Sequence, residues 1–154
     1  YLDQEAYIQR YFRGYFLDAA DVMMQYFKSF RNFTLLQLNG LCPGMGQIYY
    51  NIREKEYWPK SIIDKWQGYV EEAMQIIEKY KYTDPETYDM LYKHISLERV
   101  FLDYCYIHYY KSNVGSDYSK YFERFKYDCI LNKISLTAEG SQNSLEKLLS
   151  SMSK

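Results

Sequence analysis

Residues 84–111 read DPETYDMLYKHISLERVFLDYCYIHYYK, and this stretch decides the fold. Asp84 followed by Pro85 is a helix start, because an aspartate carboxylate caps exposed N–H groups and proline at the first helical position gives up an N–H that has no partner there anyway. From Pro85 the spacing predicts a helix to about Lys111. It carries Tyr88, Leu91, Tyr92, Ile95, Val100, Phe101, Leu102, Tyr104, Cys105, Tyr106, Ile107, Tyr109 and Tyr110, so its second half is apolar nearly all round. A helix of that kind is enclosed by neighbours, which makes it the expected central helix of a bundle.

The flanking segments supply the neighbours. Ile8, Phe12, Tyr15, Phe16, Ala19, Met23, Tyr26, Phe27 and Phe30 step by three and four, predicting one amphipathic helix from about Asp3 to Phe30 with Asp3 as its N-cap. Gly14 interrupts it and reads as a point of close approach by another element. Ser61 after Pro59 opens a helix with Ile62, Trp66, Tyr69, Val70, Ala73, Ile76, Ile77 and Tyr80 on its apolar stripe. Gly115 marks a turn before a helix carrying Tyr118, Tyr121, Phe122, Phe125, Cys129 and Ile130, and Ser141 is placed to cap a short last helix. Residues 31–60 lose the period and hold the cluster Gly40-Leu41-Cys42-Pro43-Gly44-Met45-Gly46, an unusually long irregular stretch of the kind that docks or binds. The expected fold is an all-α bundle of four to five helices in one domain, residues 1–154, with one long irregular insertion at about 31–60.

Composition narrows the partners. Nineteen basic and 20 acidic residues leave a formal charge of −1, which provides no footprint for nucleic acid or an anionic membrane. No run approaches the roughly 18 apolar residues that span a bilayer. Three widely separated cysteines and two histidines argue against a disulfide framework and a structural zinc site, and Cys105 and Cys129 read as small buried hydrophobes. The start at Tyr1, with neither Met nor signal peptide, reads as a segment cut from a larger protein.

Chemistry is sparse. No phosphate loop or nucleophile elbow is present, and no cofactor is implied. His94 and His108 lie on one predicted helix but roughly 21 Å apart along its axis, so they share no metal. Glu98, Arg99 and Asp103 interrupt the apolar helix and are expected to form a buried polar network, with Arg99 and Asp103 one turn apart and able to pair with each other. As a glycosidase pair, Glu98 and Asp103 would diverge by about 140° around the helix. No catalytic residue is assigned.

Twenty tyrosines remain to be explained. Tyr7, Tyr11 and Tyr15, then Tyr88 and Tyr92, then Tyr106 and Tyr110, stand four apart and read as core or seam stripes. Tyr49, Tyr50, Tyr57 and Trp58 fall in the irregular stretch, where periodicity does not enforce burial, and form the candidate ligand surface for a sugar or a partner.

The run Tyr11-Phe12-Arg13-Gly14-Tyr15-Phe16-Leu17-Asp18-Ala19-Ala20, followed by Tyr26, resembles the start of the helical C-terminal region of the domain of unknown function 4838 family, found in Bacteroides-type polysaccharide degraders. That pattern is close to Tyr-Tyr-Gly-x-Ala-Ala with a later Tyr, and here Phe16 and Leu17 stand where the second Tyr and the Gly would fall. Trp66 with Glu71, Glu72 and Ala73, then Glu98-Arg99-Val100 and Tyr104, is similar to the family's paired helices with a Glu-Arg element. The resemblance implies a parent like an α-glucuronidase-type glycoside hydrolase, exported to the periplasm or cell surface, with this region packed against a catalytic (β/α)8 barrel. The expected role is therefore an accessory helical domain that packs on the barrel, associates with itself, or lends aromatic residues to a glycan cleft. The alternative is a stand-alone helical protein-interaction module without sugar chemistry.

Overall fold

A computed structural model describes residues 3–38, 54–135 and 144–153. Among them there is no strand, and the fold is all-α. Two compact units divide the chain, Tyr1–Tyr92 and Lys93–Lys154.

In the first unit, α1 spans Gln4–Phe16 and α2 spans Ala20–Asn32. Asp3 caps α1 as expected, its carboxylate accepting from the N–H groups of Glu5 and Ala6 at 3.2 Å each. The single helix expected from Asp3 to Phe30 is instead a hairpin of two. Leu17, with φ 47° and ψ −120°, ends α1, and a 3-10 turn Leu17–Ala19 leads into α2. The ring centroids of Phe12 and Phe27 come within 5.3 Å, and Lys28 reaches Glu5 at 3.1 Å. In a straight helix residues 5 and 28 would sit roughly 35 Å apart. Hydrophobic period cannot see such a fold-back, because both arms bury the same stripe against a common neighbour.

That neighbour is α3, Lys60–Ile77, whose buried Ile63, Trp66, Val70, Ala73 and Ile77 step by three and four. Trp66 is fully buried among Tyr26, Phe30 and Phe33, with centroids 5.0 to 6.3 Å away, and its indole N–H donates to Ser29 Oγ at 3.0 Å. Lys79 and Tyr80 both reach the Asp18 carboxylate, the Tyr80 hydroxyl donating at 2.9 Å, and so pin the α1–α2 turn to the end of α3. Gly14 has no neighbour within 4 Å of where a Cβ would lie, so the expected close approach is not there. The expected irregular stretch is helical at its start, with α2 continuing into a π-helical segment Phe33–Leu38, and it resumes as a 3-10 turn Lys55–Tyr57. Residues 39–53 lie outside the described residues.

The helix α4, Pro85–Tyr109, begins where Asp84 predicts. The Asp84 carboxylate accepts from Thr87 N–H at 3.2 Å and from its hydroxyl at 2.7 Å.

The second unit holds α4 from Lys93 onward, then α5 (Tyr118–Leu131) and α6 (Leu145–Met152). Gly115, at φ 51° and ψ −119°, ends the turn Lys111–Val114 and opens a 3-10 turn into α5. Helix α5 stops at Lys133, whose φ of 56° lets Ile134 N–H reach back to Cys129 C=O at 2.9 Å and satisfy an end carbonyl. The cap of α6 is Ser144, donated to by Lys147 N–H at 3.4 Å; Ser141, the expected cap, lies outside the described residues. Ile107, Phe125, Cys129, Leu145 and Met152 form the core of this unit.

The tyrosine stripes divide. Tyr106 and Tyr110 are buried, but Tyr7 and Tyr11 are 65% and 53% exposed, contrary to a core role. On α1 the buried face is set by Phe12 and Phe16, which turns the Tyr7–Tyr11–Tyr15 row toward water.

Candidate functional site

Arg99 and Asp103 do bury a polar network, but not with each other. Arg99 donates from Nε and Nη2 to Asp128 at 2.7 and 2.9 Å, and Arg124 donates from Nε and Nη2 to Asp103 at 2.7 and 2.6 Å. Each helix thus contributes one arginine and one aspartate, four residues apart, to two parallel clamps. A carboxylate one turn along the same helix meets a guanidinium poorly, whereas the facing helix presents it edge-on to two N–H groups at once. Antiparallel register runs through the whole seam. Asn132 Nδ2 donates to Ser96 Oγ at 2.9 Å at one end, and the rings of Tyr106 and Tyr121 stack at 4.6 Å at the other.

Both aspartates are fully buried, Arg99 nearly so, and Arg124 keeps 17% of its side chain exposed over the Tyr121 ring. Burial pushes the Asp103 carboxyl above its ordinary range, while the Arg124 guanidinium pulls the other way. All four carboxylate oxygens accept from guanidinium, so the cluster offers no open acid or base to a substrate. It acts as a lock that fixes the register of α4 on α5. Glu98 is only half-buried and takes no printed part in the clamps. Arg124 and Asp128 were missed by sequence reasoning, although the repeated Arg-x-x-x-Asp spacing at 99/103 and 124/128 is a legible signal.

Other chemistry-bearing groups are quiet. Burial pushes the Cys105 thiol up and the Cys129 thiol up to about 11, keeping both neutral. His108 stacks on Tyr104 at 5.0 Å, and desolvation lowers its pKa. Among the described residues no three His, Cys, Asp or Glu side chains gather as a metal site. An open cleft of about 350 Å³ is lined by Lys111, Tyr118, Phe122, Glu123 and Met152, and its floor is occupied by the Tyr118 hydroxyl donating to Met152 C=O at 2.6 Å.

The four-residue aromatic surface expected at Tyr49, Tyr50, Tyr57 and Trp58 does not stand as one platform. Trp58 is only 6% exposed and packs on Phe33 with centroids 6.0 Å apart, because the indole closes the end of the aromatic core around Trp66. Tyr57 is half-buried, and Tyr49 and Tyr50 lie outside the described residues.

What the surface does present is a row on α4. With Ile95, Leu102, Cys105, Tyr106 and Ile107 turned inward, Leu97 remains 44% exposed and His108 exposed, while His94, Phe101 and Tyr104 are half-buried. These five stand at steps of three, four, three and four, on one side of the helix. Comparison with protein-family models, with curated proteins and with solved structures finds no match. The seam and this row are therefore read on their own physics.

Proposed function

We propose that this chain is a non-catalytic helical interaction domain, working as an accessory part of a larger exported carbohydrate-active protein of the kind that the segment Tyr11–Ala20 resembles. The observation that carries the interaction role is the α4 row: an apolar stripe left at the surface of a helix whose register is locked by two buried ion pairs. Rigid helix faces of this kind recognise other helices or grooves through anchors at helical spacing. The proposed parent draws support from Leu17. The resembled pattern carries glycine at that position, and here the backbone adopts φ 47°, a conformation that suits glycine and strains a side chain.

Within such a parent the domain packs against the catalytic barrel or joins copies of itself. Glycan contact is the second reading, and the exposed Tyr7 and Tyr11, with Tyr11 stacked on Tyr15 at 5.4 Å, give it a surface better than Trp58. Leu97→Asp separates the readings. It should abolish binding of the chain to itself or to the separately expressed remainder of its parent while leaving the helical circular dichroism unchanged. Binding that survives Leu97→Asp in both formats refutes the interaction role, and glycan-array binding lost on Tyr11→Ala would favour the second reading.

A further inference from the structure

We infer that the occupant of the α4 row is a second copy of this chain, paired in parallel about a two-fold axis along α4. The inference rests on the interaction reading above and names its partner.

His94, Leu97, Phe101, Tyr104 and His108 follow the alternating three-and-four spacing of a two-helix seam, over about 21 Å of helix. Two heptads would not hold two isolated peptides together, because the helices would first have to form. Here that cost is absent: the buried Arg99–Asp128 and Arg124–Asp103 clamps and the stacked Tyr106–Tyr121 rings already hold α4 in place from its other side.

Charge selects the partner and the direction. Lys93, exposed, flanks the row on one edge, and Glu98, half-buried, flanks it on the other, five residues further on. In a parallel pair these are the two edge positions that meet across the seam, so Lys93 of each copy faces Glu98 of the other, and the two-fold makes the contact twice. Run antiparallel with Leu97 over Phe101, the same residues face Cys105 and Val100 and pair no charge. A single surface that carries both its apolar seam and the matching opposite charges is complementary to itself.

The test is sedimentation equilibrium of the full chain with four variants. Wild type is expected to dimerise at micromolar concentration. Lys93→Glu turns two attractions into two repulsions and should weaken association about tenfold, and Lys93→Glu with Glu98→Lys should restore it. Leu97→Asp should weaken association by roughly tenfold to a hundredfold, since it removes apolar burial from both copies. Circular dichroism checks that each variant is folded. In a Cys42→Ser background, Leu97→Cys under mild oxidation should form a disulfide-linked dimer, because parallel pairing sets residue 97 against its own counterpart. A dimer that ignores both Leu97→Asp and Lys93→Glu, or one in which the charge swap gives no rescue and Leu97→Cys no cross-link, overturns the parallel seam. A chain that stays monomeric at high micromolar concentration overturns the second copy as occupant. That last outcome leaves the interaction reading standing if Leu97→Asp still abolishes binding to the remainder of the parent, so the two failures are distinguishable.

Discussion

Removing one partner from the buried seam is the sharpest perturbation available. Asp128→Ala leaves the Arg99 guanidinium, whose side chain is 7% exposed, with neither its counter-ion nor the two acceptors at 2.7 and 2.9 Å. An uncompensated charge at such a site costs about 3–5 kcal/mol. Against the ~5–15 kcal/mol that stabilises a typical fold, this is a large fraction. At about 2–4 °C per kcal/mol for a chain of this size, the loss should lower Tm by roughly 6–20 °C. Asp103→Ala should cost less, because Arg124 is 17% exposed and can swing past the Tyr121 ring into water. The paired replacement Arg99→Met with Asp128→Leu removes both charges and their desolvation together, and should fall within about 1 kcal/mol of wild type or above it. Urea unfolding followed by far-ultraviolet circular dichroism measures all of these, with the slope against urea held constant as the check that only stability has changed. If Asp128→Ala costs under about 1 kcal/mol, or the paired variant is as unstable as the two single losses added, the seam is not the coupled lock described.

Helix breaks give a second prediction: Leu17 and Gly115 share nearly the same backbone, φ 47° and ψ −120° against φ 51° and ψ −119°, so Leu17→Gly should raise thermal stability and Gly115→Ala should lower it by about 1–2 kcal/mol. Nothing lies within 4 Å of a Cβ at Gly115, so the loss there is conformational, and an unchanged Tm for Gly115→Ala would refute it. Trp58→Ala should cost about 3–5 kcal/mol of stability in thermal or urea unfolding, as for a buried aromatic, rather than act as a silent surface change. Cys105 and Cys129 should resist alkylation at mildly alkaline pH, read by mass spectrometry, until denaturant is added, since burial keeps both thiols protonated. The Thr87 hydroxyl and N–H hold the Asp84 carboxyl below its ordinary pKa, so its stabilising effect is present above the unfolded value and lost as pH falls through the folded one. Asp84→Asn should therefore flatten the acid limb of the melting-temperature profile.

Helix existence was legible because it rests on local rules that this chain obeys. Asp3, Asp84 and Pro85 act where their chemistry places them, and the buried positions of α3 follow the period. The break at Leu17 was not legible for a specific reason. Its twin at Gly115 announces itself by residue type, whereas a leucine in the same conformation gives no sign, and the apolar stripe continues unbroken across it. Sequence period reports which face is buried, and a helix folded back on itself keeps its buried face. Only contacts such as Phe12 on Phe27 distinguish a hairpin from a rod.

The polar network was half legible, and the missing half decides what it does. Burial of Arg99 and Asp103 follows from their place in an apolar helix, but pairing is a tertiary fact that no one-helix argument can supply. Taken as an internal pair, they leave both groups under-satisfied and keep a catalytic reading alive. Once Arg124 and Asp128 complete two bidentate clamps, every carboxylate oxygen is committed, and the chemistry turns into geometry: α4 cannot rotate against α5 without breaking charge-assisted bonds in a dry interior. That rigidity is also what gives the outer face of the helix meaning. An apolar row on a mobile helix would turn inward to hide Leu97 and Phe101, whereas the clamps hold the row at the surface, where only another molecule can cover it.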